Sequence, residues 1–203
     1  MNCQRIVFAT GNEGKMREIR EILKDLKLPV QSMKEAGADP EIVENGATFE
    51  ENAVIKARAV WKETGGIVLA DDSGLVVDCL GGEPGIYSAR YMGEDTSYEI
   101  KNQNIIDRVN QAGGSRSARF QCVIAAVLPD GEVFTAKAAM EGEIAHKPAG
   151  RGGFGYDPIL YIPEFGATSA ELSVEQKNQI SHRGKALEAM KNRLKRYLEG
   201  EKK

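Results

Sequence analysis

The sequence from residue 6 to residue 15 reads IVFATGNEGK. Its first four residues are apolar and are typical of a short buried strand. A glycine-containing loop follows from Thr10 to Lys15, and the next apolar residues recur at helical spacing, at Met16, Ile19, Ile22, Leu23 and Leu26. The chain therefore opens with a strand, a glycine loop and a helix, which is how an α/β fold begins.

Strands and helices alternate along the rest of the chain. Residues 67–70 predict a second buried strand, which we expect to end where Asp71 and Asp72 begin. A hairpin is predicted where Pro129-Asp130-Gly131 separates two strand-like segments, 120–128 and 132–140. Four further helices are predicted, over residues 48–64, 96–110, 173–180 and from 181 onward. We expect one α/β domain over residues 1–203, with a mixed sheet.

The composition is that of a soluble globular protein with an excess of glycine, 22 of 203 residues. The net charge of −3 argues against a protein that coats nucleic acid, because such proteins present a basic surface. The three cysteines form no Cys-x-x-Cys pair, which argues against a zinc ribbon or a disulfide framework. No apolar run is long enough to span a bilayer, and no secretory signal is found. We therefore expect a cytoplasmic protein with neither a nucleic-acid nor a membrane partner.

The first glycine loop is a candidate anion site. Backbone N–H groups at the start of a helix can hold a phosphate, and Lys15 adds a positive charge. The loop is not a Walker A motif, because Gly11 and Gly14 lie only three residues apart and no Ser or Thr follows Lys15. An ordinary tight turn between a strand and a helix is the alternative.

A second glycine-rich segment covers residues 150–155 and fits the pattern G-x-G-x-x-G. We predict extended chain rather than a helix after it, over residues 156–159, so it is not a dinucleotide-binding turn. An aromatic side chain such as Phe154 could stack on a planar ring. The segment therefore predicts a pocket wall, and a long structural loop is the alternative.

Asp71 and Asp72 are the sharpest feature of the sequence. Two adjacent carboxylates beside a buried strand are costly unless they are paired with cations or hydrogen-bonded. Adjacent strand residues point to opposite faces, so we expect one carboxylate to face a site and the other to be a structural acceptor. The first would bind Mg²⁺ or activate water; salt bridges alone are the alternative. A further acid could join a metal site with Asp72, and the spacing leaves four candidates, Glu41, Glu44, Glu50 and Glu51.

The last cluster lies near a predicted helix start and contains Lys177, His182 and Arg183. These side chains can donate hydrogen bonds to an oxygen-rich ligand, although a histidine at such a position can also be an ordinary surface residue. Together with the acidic strand and the two glycine segments, the cluster suggests a nucleotide or another phosphate ester as ligand, bound with Mg²⁺.

Six separated motifs occur in the order typical of one family. The sequence resembles the inosine triphosphate pyrophosphatases, also called XTP/dITP diphosphatases, over essentially its whole length. The motifs are Thr10-Gly11-Asn12 with Lys15, Thr48 to Ala53 with Lys56, Ala70 to Leu75, Gly82 to Arg90, Gly152 to Pro158, and Ser181 to Gly184.

The resemblance implies a fold and a reaction. The expected fold is an elongated, two-lobed α/β structure in which helices flank a long mixed sheet and a central cleft. The expected reaction is the Mg²⁺-dependent hydrolysis of ITP, dITP and XTP to the monophosphate and pyrophosphate, which removes damaged purines from the nucleotide pool. The resemblance also implies a homodimer.

The resemblance assigns a role to particular residues of this chain. Asp72 would be the catalytic carboxylate and a metal ligand, and Glu44 would be the second metal ligand. Ser73 would line the site. The phosphates would be held by Thr10, Gly11, Asn12, Glu13, Gly14, Lys15, Lys56 and Lys177. The base would be held by Phe154, Gly155, Tyr156, Asp157, His182 and Arg183.

Two other functions remain open for the same residues. A Maf-like nucleotide pyrophosphatase would have a related architecture and prefer other bases. A nucleotide sensor without catalytic activity would have lost part of the site, whereas the acidic pair and Lys15, Lys56 and Lys177 are intact.

Overall fold

A computed structural model describes residues 5–200 of the chain. The fold is α/β, as predicted, with one mixed seven-stranded sheet in the order β2-β1-β3-β4-β5-β6-β7. The strands are β1 Ile6–Phe8, β2 Val30–Ser32, β3 Ile67–Val77, β4 Ser117–Val127, β5 Val133–Ile144, β6 Leu160–Ile162 and β7 Ala167–Thr168. The helices are α1 Glu13–Leu23, α2 Phe49–Thr64, α3 Tyr98–Ala112, α4 Val174–Ile180 and α5 His182–Leu198.

The sheet combines both kinds of strand pairing. Strand β1 pairs in parallel with β2 and with β3. Strand β6 pairs antiparallel with β5 and with β7. Parallel neighbours require a crossover, and α1 supplies the one between β1 and β2.

The chain divides into two compact units. The first unit contains the described residues up to Asp72, residues 122–138, and the chain from Arg183 onward. The second unit contains residues 73–121 and 139–182. The single domain over residues 1–203 and the central cleft stay predictions.

Each unit has its own apolar core. In the first unit, α1 and α5 pack on the sheet, and the predicted positions Met16, Ile19 and Leu23 are fully buried. In the second unit, α3 contributes Ile105, Ile106 and Val109 to a separate core. Burial of these helical faces follows from apolar spacing of three and four residues, which puts the side chains on one side of a helix.

The predicted end of the second buried strand is wrong. We expected it to stop before Asp71, where the apolar run ends. Instead β3 continues through Asp71, Asp72, Ser73 and Gly74 to Val77. The carboxylates are tolerated inside the strand because each is paired with a cation, as described below, and the apolar residues Leu75 and Val77 are again fully buried.

The predicted helices are confirmed, with small shifts at their ends. Helix α1 starts at Glu13, so Gly14 and Lys15 belong to its first turn rather than to the loop. Thr48 caps α2, and Ser173 with Gln176 forms the predicted capping box of α4. The segment after the second glycine stretch is not fully extended, since Asp157–Ile159 forms a single 3₁₀ turn before β6. Among residues 5–200, no helix is long and apolar enough to cross a membrane.

We predict that Gly142→Ala destabilises the sheet of the second unit. A Cβ atom at Gly142 would lie 2.5 Å from the backbone oxygen of Tyr161, on the strand paired with β5. Forcing two paired backbones apart should lower the free energy of unfolding by about 1–3 kcal/mol, measured by urea denaturation. Gly114→Ala is the matched control, because a Cβ atom there meets nothing within 4 Å. Equal urea midpoints for the two variants would contradict the prediction.

Candidate active site

The candidate residues form two groups, one in each unit. The first group, called here the carboxylate cluster, lies in the first unit and consists of Lys15, Glu44, Lys56, Asp71, Asp72 and Arg183. The second group, called here the glycine loop, lies in the second unit and consists of residues 150–157 with Lys177. Each group is held together by contacts within its own unit.

Asp71 is a buried structural acceptor. Its two carboxylate oxygens accept hydrogen bonds from Lys15 Nζ at 3.1 and 3.3 Å, and Oδ2 also accepts one from Arg183 Nε at 3.2 Å. Burial acts to raise the pKa of Asp71, but the positive charges of Lys15 and Arg183 outweigh it and hold that pKa well below its usual value. Asp71 is therefore ionised at neutral pH and joins β3 to α1 and α5.

Asp72 faces a different set of partners. Its Oδ1 accepts a hydrogen bond from Lys56 Nζ at 2.7 Å, and the same ammonium lies 3.1 Å from Glu44 Oε2. Asp71 and Asp72 thus pair with different lysines, as expected for neighbouring strand residues. The prediction that one of them is a structural acceptor is confirmed for Asp71.

The second oxygen of Asp72 is the open position of the cluster. Asp72 Oδ2 is buried and has no hydrogen-bond partner among the described residues. Burial raises the pKa of Asp72, Lys56 opposes that rise, and the negative charge of Glu44 adds to it. A buried carboxylate oxygen without a partner is costly, which makes it available to a water molecule, a cation or a substrate proton.

The structure joins one of the four acidic residues that the spacing left open to Asp72 through a shared lysine. Glu44 shares Lys56 with Asp72, whereas the other acids that contact a partner point elsewhere. Glu50 lies 3.4 Å from Thr135 Oγ1, and Glu51 accepts a hydrogen bond from the backbone N of Ala47. Asp72 and Glu44 could therefore hold a metal ion together.

The pair suits Mg²⁺ by its chemistry. This ion commonly takes one or two carboxylates and completes its shell with water and substrate phosphate oxygens. In the described chain no group of three or more His, Cys, Asp or Glu side chains gathers in a metal-binding arrangement. Two carboxylates with one open oxygen therefore fit an ion that is shared with a substrate, rather than one enclosed by protein.

The first loop and α1 present backbone donors. Asn12 caps the helix by accepting a hydrogen bond from Lys15 N at 3.0 Å, and its own N donates to Thr10 Oγ1. Residues 11–14 are exposed, and nothing lies within 4 Å of a Cβ atom built on Gly11. The N-terminus of an 11-residue helix is thus open to solvent, as the predicted phosphate site requires.

Asp157 organises the glycine loop. Its buried carboxylate accepts hydrogen bonds from Phe154 N at 2.8 Å, Ser169 Oγ at 2.7 Å and Lys177 Nζ at 2.7 Å. Gly153 has a φ of +72°, and a Cβ atom there would overlap the Asp157 carboxylate. Only glycine fits this position, so the loop is shaped around one buried acid.

The aromatic residues of the loop divide into one exposed and one buried side chain. Phe154 is 70% exposed and available to stack on a ligand. Tyr156 is buried, donates its hydroxyl to Ser88 O at 2.7 Å and packs edge-on against Tyr98. Burial raises the pKa of Tyr156. Tyr156 therefore supports the loop, and Phe154 is the aromatic residue that can touch a ligand.

The remaining predicted residues lie beside these groups. His182 stacks on Phe120, with ring centroids 5.3 Å apart. Ser73 follows Asp72 in β3, and its Oγ is buried without a partner among residues 5–200. Arg183 has its Nε on Asp71 rather than free to reach a base.

Three residues whose hydrogen bonds support the two groups were not predicted to have a role. Asn52 holds the backbone of Gly46, Ser169 binds Asp157, and Asn102 donates to the carbonyl of Gly155. Asn52 had a signal, since it lies four residues before Lys56 on one helical face. Ser169 and Asn102 had none, because their contacts join segments distant in sequence.

The α/β fold thus carries its candidate site on one strand, where two adjacent acids are each held by a lysine. The sequence profile of the Ham1 family matches residues 6–193, and the chain belongs to this family. The resemblance inferred from the six motifs is therefore confirmed.

Relatives and solved structures are similar to this protein over nearly the whole chain. The dITP/XTP pyrophosphatase of Geobacter sulfurreducens is 47% identical over 191 residues, covering 94% of this chain and 96% of that protein. The dITP/XTP pyrophosphatase of Escherichia coli O157:H7 is 45% identical over 195 residues, with 95% and 98% covered. The structure of a HAM1 protein from Coxiella burnetii matches with a TM-score of 0.88 at 42% identity, covering 94% of this chain and 98% of that one. The Staphylococcus aureus Ham1 protein matches with a TM-score of 0.86 at 45% identity, with 98% and 100% covered.

We predict that Asp71→Asn destabilises the protein. The variant leaves Lys15 and Arg183 without an anionic partner, and breaking a buried ion pair in this way should lower the free energy of unfolding by about 3 kcal/mol at pH 7. The folded pKa of Asp71 is depressed, so its contribution is complete above the unfolded pKa of about 4 and is lost progressively as the pH falls from there towards the folded pKa.

Urea denaturation at pH 7, 5 and 3 measures this contribution. The difference between the native protein and Asp71→Asn should be full at pH 7 and 5 and smaller at pH 3. Equal urea midpoints at pH 7 would show that the ion cluster does not stabilise the fold.

Proposed function

We propose that the protein is a nucleoside triphosphate pyrophosphatase that hydrolyses dITP, XTP and ITP to the monophosphate and pyrophosphate. The observation that carries the proposal is the arrangement at Asp72: Lys56 holds one of its oxygens and also contacts Glu44, while the other oxygen is buried without a hydrogen-bond partner among the described residues. The printed names of the relatives, dITP/XTP pyrophosphatase, support the same reaction. Such an activity would remove aberrant purine nucleotides from the pool.

The cations suit a triphosphate. Lys15, Lys56, Lys177 and Arg183 are the predicted partners of its charge, and each is paired with a carboxylate. An ammonium group has three donors, so a lysine can keep its carboxylate and still donate to a phosphate oxygen. The pairing therefore orders the lysines before the substrate arrives.

Mg²⁺ is part of the proposal, with Asp72 and Glu44 as the side chains that would hold it. When bound, the ion would neutralise charge on the phosphates and stabilise the leaving pyrophosphate. Asp72 itself would orient the attacking water and accept its proton, a task that needs a carboxylate oxygen with a lone pair left for that proton. Asp72 Oδ2 meets that requirement.

Selectivity would depend on the 6-oxo group that hypoxanthine and xanthine share. Adenine carries an amino group at that position, so donors directed at the oxygen are left unpaired against adenine. The backbone N–H groups of the glycine loop, His182 and Arg183 are the proposed donors, with Phe154 stacking on the base. The Nε of Arg183 is already bound to Asp71, so only its terminal nitrogens can serve.

The proposal also includes a cytoplasmic homodimer. Exposed apolar side chains in the second unit, Tyr87, Met92 and Ile100, are surface that a second copy would cover. Light scattering coupled to size-exclusion chromatography tests the dimer.

The first test is pyrophosphate release over a panel of nucleotides. With Mg²⁺ present, kcat/KM for dITP, XTP and ITP should exceed that for dATP by at least ~100-fold, because adenine leaves buried donors unpaired. Chelation of the metal should abolish release. Hydrolysis of dATP as efficient as that of dITP would contradict the proposed selectivity, and orthophosphate as the product would contradict the reaction.

The second test is Asp72→Asn, which removes the proposed base and metal ligand. We expect kcat to fall by about 100-fold or more, while circular dichroism shows an intact fold. Glu50→Gln is the matched control, because Glu50 is an exposed acid that contacts Thr135 and has no contact with Lys56 or Asp72. Near-normal turnover by Asp72→Asn would remove Asp72 from the mechanism.

A further inference from the structure

Asn52 is a buried amide with no place in the mechanism described so far. The residue lies on α2 and is completely buried. Its Oδ1 accepts a hydrogen bond from Gly46 N at 2.9 Å. Its Nδ2 is buried and has no hydrogen-bond acceptor among the described residues. One half of the side chain is thus committed to the backbone, and the other half is a donor without a recipient.

The committed half fixes the segment that carries Glu44. A Cβ atom at Gly46 would lie 2.7 Å from Asn52 Oδ1 and 3.0 Å from Asn52 N, so the backbone at residue 46 rests directly on the start of α2. Glu44 comes two residues earlier, and its Oε2 reaches Lys56 Nζ at 3.1 Å. The contact between Asn52 and Gly46 therefore helps to place one of the two proposed metal ligands.

The open half lies beside the other proposed ligand. Asn52 precedes Lys56 by four residues, so the two side chains share a face of α2. Lys56 on that face binds Asp72 Oδ1 at 2.7 Å, while Asp72 Oδ2 is buried without a partner in the described chain. Asn52 also acts to lower the pKa of Asp72, which marks the two groups as neighbours. An unpaired buried donor and an unpaired buried acceptor therefore face the same place.

We propose that Asn52 is a positioning residue for both carboxylates of the site: its Oδ1 holds the Glu44 segment and its Nδ2 orients Asp72. The inference rests on the proposed function, which gives those carboxylates their task. An amide is neutral, so it can direct Asp72 without adding to the positive charge that Lys56 already supplies. Groups that orient metal ligands commonly change metal affinity or activity by 10–100-fold when they are removed.

Two variants separate the two halves of the amide. Asn52→Ala removes both contacts. Asn52→Asp keeps an oxygen acceptor for Gly46 N and a similar volume, but has no Nδ2 donor. Glu51→Ala is the matched control, because Glu51 also tethers this segment to α2, through Ala47 N, without being near Asp72.

The measurements are kcat and KM for dITP, the affinity for Mn²⁺ without nucleotide by electron paramagnetic resonance, and the melting temperature. Both Asn52 variants should lower kcat by about 10–100-fold and leave KM for dITP nearly unchanged. Asn52→Ala should also weaken Mn²⁺ binding by about 10-fold. Glu51→Ala should change neither kcat nor Mn²⁺ affinity.

A lower melting temperature with unchanged kcat and unchanged Mn²⁺ affinity would overturn the inference, since Asn52 would then serve the fold alone. An effect of Glu51→Ala equal to that of Asn52→Ala would also overturn it, because loosening of the segment would explain both. If Asn52→Ala does not fold, Asn52→Asp decides the question. Failure of the native protein to hydrolyse dITP would refute the proposed function. The Mn²⁺ affinity of the Asn52 variants would still test the positioning role of Asn52.

Discussion

The buried ion cluster of Asp71 with Lys15 and Arg183 is the interaction on which the first unit depends. It joins three elements that are far apart in sequence, because Asp71 lies in β3, Lys15 in the first turn of α1 and Arg183 in the first turn of α5. A buried carboxylate cannot remain charged without such partners. The cluster therefore fixes the starts of two helices against the strand that also carries Asp72.

Positive charge in this protein is arranged by pairing rather than by excess. The chain has more acidic than basic residues, and the lysines proposed for the substrate are each held by an acid. A side chain that is already ordered loses less conformational freedom when a ligand binds. The net charge of −3 and a polyanionic substrate are compatible for this reason, because the local order of a few cations matters more than the total.

The sequence predicted the class of fold, the helices and their caps, because apolar spacing and capping residues are local signals. It also pointed to Asp72, Lys15 and Lys56 as candidate site residues. It missed the length of β3, since the pairing that makes Asp71 tolerable inside a strand comes from α1 and α5. It left Glu44 unresolved among four acids until a resemblance chose it, because only the folded chain brings Glu44 to Lys56. Contacts between distant segments leave no pattern in a single sequence.

The continuous strand through Asp71 and Asp72 constrains how this chain can change. Because side chains alternate along a strand, one dipeptide supplies both the structural acid and the proposed catalytic acid. Inserting or deleting one residue between Ile67 and Ala70 would turn the side chains that follow to the opposite faces of the strand. Asp71, which now pairs with Lys15 and Arg183, would then face Lys56. A substitution in this strand changes one side chain at a time. A change in length would instead disrupt both the ion cluster of Asp71 and the contact between Asp72 and Lys56. We therefore expect β3 to vary in residue type and not in length.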